Sequence, residues 1–129
     1  MNRRSAAKAS NPRDVESALG WQLARVGSLG WCGWSLKFQR LAFGYAQDTG
    51  WPDEEAALRW LCDHALLHDG EPPRGALVWY RVSGGVRVGC SLGSGELVGP
   101  LLDGVVGVAE LATLSSDRVW SDPLFPFAH

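Results

Sequence analysis

The strongest constraint in this sequence is a change of periodicity near its middle. Up to about Leu67, apolar residues recur at three- and four-residue spacing, as on one face of a helix. After the loop His68-Asp69-Gly70-Glu71-Pro72-Pro73-Arg74-Gly75 they fall into short β-branched runs punctuated by glycine. Helices first and a meander afterwards define an α+β fold, with N-terminal helices packed on one face of a C-terminal antiparallel sheet. A chain of 129 residues has room for one such core, so residues 11–129 read as a single domain.

Asn11-Pro12 has the form of a helix start, an N-cap residue followed by proline, and Val15, Leu19, Leu23 and Val26 follow at helical spacing. The segment Gly27-Ser28-Leu29-Gly30 ends that helix. A second helix carries Trp34, Phe38, Leu41, Ala42 and Tyr45 on one face. Pro52-Asp53-Glu54-Glu55 opens a third, with acids in the first turn where they suit the helix dipole and Ala57, Trp60, Leu61, His64 and Ala65 inward. The acids of this turn and Arg13 read as a solvated face. Strands are expected over residues 76–82, 86–92 and 96–98, joined by the turns Ser83-Gly84-Gly85 and Gly93-Ser94-Gly95, with further candidates at 105–108 and 118–120.

The balance of charges excludes some functions. Net charge is −2 and the basic residues are scattered, so no stripe is offered to a phosphate backbone and no nucleic-acid partner is expected. The basic start, Met1-Asn2-Arg3-Arg4, is followed by no apolar run, so residues 1–10 read as a frayed tail, with no membrane partner and a cytoplasmic location expected. Cys32, Cys62 and Cys90 are an odd number without metal-ligand spacing, which suggests neither a disulfide framework nor a zinc site. No cofactor is implied.

Three segments carry a resemblance. Arg25-Val26-Gly27-Ser28, followed by Trp31-Cys32-Gly33-Trp34-Ser35-Leu36-Lys37-Phe38-Gln39-Arg40, resembles the nucleophile segment of NlpC-type cell-wall peptidases, papain-like enzymes common in bacteria and phages. Pro72-Pro73-Arg74-Gly75-Ala76-Leu77-Val78-Trp79-Tyr80 resembles the entry to that family's first central strand. Val86-Arg87-Val88-Gly89-Cys90-Ser91-Leu92 resembles the strand that carries its catalytic histidine. The likeness spans roughly residues 12–110 and rests on the order and spacing of the three segments. It implies a papain-like domain.

The departures bear on activity. Such a peptidase needs a thiolate at a helix N-terminus, an imidazole beside it and a polar residue to orient the imidazole. The resemblance puts Ser35 at the cysteine position, Arg87 at the histidine position and Gly99 near the orienting one. Serine is a poor nucleophile without a base, and a guanidinium cannot serve as that base at neutral pH. No catalytic residue is therefore expected. The alternative nucleophile is Cys32, three positions before Ser35, for which His64, His68 and His129 are the available bases.

Arg87, taken to face the cleft, needs a partner, either internally in Glu96 or Asp103, or as part of an anion site in which Arg87 and Ser35 hold a group such as a peptide carboxylate at the helix N-terminus. Trp31 and Trp51 are candidate groove residues, and Trp34, Trp60 and Trp79 are assigned to packing. Cys90 and Cys62 read as packing residues, and the segment from Ser121 to Phe127 as a strap across the core. Three functions follow: a non-catalytic binding or regulatory protein with a protein or peptide partner, a cysteine hydrolase using Cys32, and a structural subunit. The first fits the missing triad best; oligomeric state is left open.

Overall fold

A computed structural model describes residues 11–129; the frayed tail expected over residues 1–10 lies outside the described residues. Helices α1 (Val15–Leu23), α2 (Ser35–Ala42) and α3 (Glu54–Asp63) precede strands β1 (Leu77–Val82), β2 (Gly85–Gly93), β3 (Glu96–Pro100) and β4 (Val106–Glu110), the short helix α4 (Leu111–Leu114) and strand β5 (Arg118–Ser121). The strands form one antiparallel sheet in the order β4-β3-β2-β1-β5. The α+β arrangement with N-terminal helices is thus present. Among the described residues no helix is long and apolar enough to cross a membrane.

The first helix begins later than Asn11-Pro12 predicts. Asp14 is its N-cap and accepts from Ser17 N at 2.8 Å, a charge-assisted bond that also suits the helix dipole. Asn11 serves a longer-range purpose: its Nδ2 donates to Pro123 O at 2.8 Å and its Oδ1 accepts from Tyr45 Oη at 2.6 Å. The buried face of α1 is Ala18, Leu19 and Gln22, while Leu23 and Val26 are exposed, so the expected stripe is rotated. Arg13 leaves the solvated face it was assigned; its Nη1 donates to Leu41 O and Ala42 O at the C-terminal end of α2, where a cation offsets the orphan carbonyls.

Helix α3 is capped by Asp53, which accepts from Ala56 N at 2.9 Å, and ends at His64 as C-cap, short of Leu67, with Ala65 at positive φ. The two tight hairpins close as the turn residues dictate: Val82 pairs Gly85 and Gly93 pairs Glu96, the latter across Ser94 and Gly95, both at positive φ.

Period-two alternation divides the sheet between two cores. Leu77, Trp79, Val86, Val88, Cys90 and Val98 face the helices and pack with Ala18, Leu19, Leu36, Ala42 and Leu61. Val78, Tyr80 and Leu97 face the other way, under Leu111 of α4. The C-terminal segment is a strap: Phe125 is buried against Phe43 and Tyr45, Phe127 meets Trp51 and Trp60, and His129 exchanges backbone hydrogen bonds with Asp48.

Candidate functional site

The head of α2 lies against β2, and Ser35 is where they meet. Trp34 is the N-cap of α2 and supplies no side-chain bond, so the first amides of the helix need an acceptor from elsewhere. Glu54, the first residue of α3, provides it: its Oε2 accepts from Leu36 N at 3.1 Å and from Ser35 Oγ at 2.5 Å. Ser35 Oγ in turn accepts from Val88 N at 3.1 Å. Ser35 is 1% exposed and Glu54 9%. One carboxylate therefore stands at the N-terminal ends of two helices.

This arrangement corrects two expectations. Glu54 is not part of a solvated face; the helix pattern of α3 showed an acid in a first turn but not which neighbour it reaches. The helix N-terminus is also not an open anion site, because an internal carboxylate already occupies it and Ser35 is enclosed.

Arg87 does not face Ser35. It stands directly across from Tyr80 on β1, with the face that packs under Leu111, while its neighbour Val88 faces the helices and donates to Ser35. The β2 side chain on the helix-facing side is thus that of Val88, one residue along, and one residue of phase is enough to move every side chain to the other face. Neither expected partner of Arg87 pairs with it: Glu96 stands across from Glu110 on β4, and Asp103 Oδ1 accepts from Val105 N at 3.0 Å. Among the described residues Arg87 forms no ion pair. Tyr80, across from it, has a hydroxyl pushed up to about 12 by burial, partly offset by the Arg87 charge.

Gly99 holds no orienting side chain, but its surroundings explain what fills the space. A Cβ there would lie 3.2 Å from Gln39 Nε2. Gln39 and Gln22 are fully buried and face each other through two reciprocal amide hydrogen bonds of 2.9 and 3.0 Å. This polar pair between α1 and α2 was not singled out in the sequence; its signal was glutamine at two positions of otherwise inward helix faces.

Cys32 is exposed in the loop before α2 and packs against the β3–β4 turn, where Trp31 N donates to Gly104 O. A Cβ on Gly104, whose φ is +79°, would fall 2.9 Å from Cys32 Cβ, so glycine is required for this approach. No imidazole serves as its base. His64 stacks on Trp60 at 3.9 Å, His68 lies against Trp120 at 4.5 Å, and His129 Nδ1 is 3.3 Å from Phe127 O.

The tryptophans exchange their assigned roles. Trp31 packs edge-on against Phe38 and donates to Ser28 Oγ, and Trp51 is buried between Trp60 and Phe127, so both belong chiefly to packing. Trp34, assigned to packing, is 55% exposed with Lys37 Nζ 5.3 Å over its ring. Trp34 forms the wall of a groove of about 250 Å³ beside the Ser35–Glu54 contact, which Lys37, Arg40, Asp48 and Trp51 also line. Trp51 thus keeps a place at the groove although it is buried. Among the described residues no group of three or more potential ligands is arranged for a metal ion.

No family pattern, curated protein or solved structure matches the chain.

Proposed function

We propose that the protein is a non-catalytic member of the papain-like, NlpC-type peptidase fold and acts as a binding or regulatory protein. The observation that carries this reading is the closure of Ser35. Its hydroxyl donates to Glu54, accepts from Val88 N and is 1% exposed, so no approach path serves a carbonyl substrate. A carboxylate on the hydroxyl is half of a proton-transfer pair, yet the imidazoles of His64, His68 and His129 are placed against Trp60, Trp120 and Phe127 O instead. The order of helices and strands, with the head of a helix against the second strand, supports the fold assignment.

The test is chemical. The folded protein is treated separately with a fluorophosphonate, an alkylating reagent and fragments of cell-wall peptide, and modified residues and products are mapped by mass spectrometry. The proposal expects no labelling of Ser35 and no cleavage. Hydrolysis abolished by Ser35→Ala would overturn it, and hydrolysis abolished by Cys32→Ser would move the cysteine-hydrolase reading to the front.

A second reading, an assembly subunit, rests on exposed apolar residues. Leu23, Val26 and Leu29 are exposed along a segment whose Gly27 and Ser28 hydrogen-bond to Val106 on the outer edge of β4, and Val108 on that strand is also exposed. Light scattering that finds a stable oligomer, dispersed by Val26→Lys or Leu29→Lys, would favour it.

A further inference from the structure

We infer that the groove beside the closed Ser35 position binds a monocarboxylate, such as a peptide C-terminus, through Arg40 and Trp51. The inference rests on the binding-protein reading and names the ligand chemistry of its open site.

Two side chains at this groove carry hydrogen-bond donors that find no acceptor among the described residues. Arg40 is 8% exposed and lines the groove, yet only its Nη1 has a protein acceptor, Tyr45 O at 3.1 Å, and no carboxylate lies within ion-pair distance among the described residues. A largely buried guanidinium without a counter-ion is costly and matches a carboxylate fork. Trp51 lines the same groove, and its buried indole N–H has no partner. Both observations call for an acceptor.

The acids of the groove form no ion pair with Arg40, and one oxygen of each is turned to a neighbour: Asp48 Oδ1 takes Gly50 N, Asp53 Oδ1 takes Ala56 N, and Glu54 Oε2 takes Leu36 N and Ser35 Oγ. They still set the charge of the ligand. With Lys37 and Arg40 against Asp48, Asp53 and Glu54, the lining carries one more negative charge than positive. A singly charged carboxylate is favoured over a phosphate dianion for that reason. Trp34 offers an exposed indole face for the apolar part of the same ligand.

The test follows the indole N–H resonances in a ¹⁵N-labelled full-length protein, with Trp51 assigned by its loss in Trp51→Phe. N-acetylalanine is titrated against acetate, N-acetylalanine amide and inorganic phosphate. The expected result is a saturable downfield shift of the Trp51 resonance with N-acetylalanine and none with its amide. Arg40→Gln should weaken binding at least about tenfold, as loss of a charge-assisted bidentate contact does. If that variant does not fold, Lys37→Glu at an exposed position should weaken it several-fold.

Equal binding of acetate would assign the site to small carboxylic acids, within the same chemistry. The inference is overturned by no saturable shift with either carboxylate, by equal binding of the amide, by phosphate binding without carboxylate binding, or by undiminished affinity in the folded variants. These outcomes are separate from hydrolysis at Ser35, which would sink the non-catalytic reading while leaving the carboxylate site standing.

Discussion

Glu54 reaches from the first turn of α3 to Ser35 at the head of α2, with 2.5 Å between Oε2 and Oγ, and through that contact two helices share one carboxylate. Replacing it by alanine orphans Ser35 Oγ as a donor and Leu36 N at once. Glu54→Ala should therefore lower stability by about 2–4 kcal/mol, and Glu54→Gln by less, because an amide oxygen still accepts. Urea denaturation of the three proteins measures this; an unchanged midpoint in Glu54→Ala would mean the contact contributes nothing.

Gln22 and Gln39 satisfy each other in a site that is closed to water. Either single change to leucine strands the remaining amide and should cost about 1–3 kcal/mol. The double change removes both polar groups and should cost less than the two singles added together. A double-mutant cycle by denaturation reads the coupling directly, and strict additivity would refute it.

Burial pushes the Cys90 thiol from 9.0 up to about 12, and the Tyr80 hydroxyl from 10.0 to about 12. Folded pKa values above unfolded ones make the sign clear. The stabilisation is intact below pH 9 and is lost as pH rises toward 12, because the unfolded chain releases these protons first. Stability measured against pH should fall from about pH 9 upward. In Cys90→Ala the fall should begin one unit later, where Tyr80 starts to ionise; an identical profile would exclude Cys90 as the source.

Phe125 anchors the C-terminal strap against Phe43 and Tyr45 at ring distances of 5.5 Å. Phe125→Ala should cost about 3–5 kcal/mol, the usual range for a buried phenylalanine. Release of the strap should also speed amide exchange at Gln47 and Asp48, whose N–H groups bond to His129 O. Exchange unchanged in a destabilised variant would show that the strap does not open locally.

How much of this was legible beforehand differs between the fold and the site. The three helices, both tight hairpins and all five strands fall where periodicity and turn residues put them, with boundary shifts of a few residues. Those signals are local: an N-cap acid, a Ser-Gly turn and alternating valines act within a few positions of themselves. The departures at Asn11, Arg13 and Leu23 arise where distant chain competes, as when Tyr45 and Pro123 take the side chain of Asn11.

The sequence by itself determined that this chain is an α+β fold with three helices before a meander. Only the tertiary structure decided which face of β2 meets the helices, placing Val88 and not Arg87 beside Ser35. It alone brought Glu54 to that serine, and left Arg40 with one carbonyl acceptor and the Trp51 indole N–H with none at one groove. The physical reason is separation along the chain: Ser35 lies 19 residues from Glu54 and 53 from Val88. Contacts of that span depend on the packing of whole elements, and a one-residue change of strand phase reverses them.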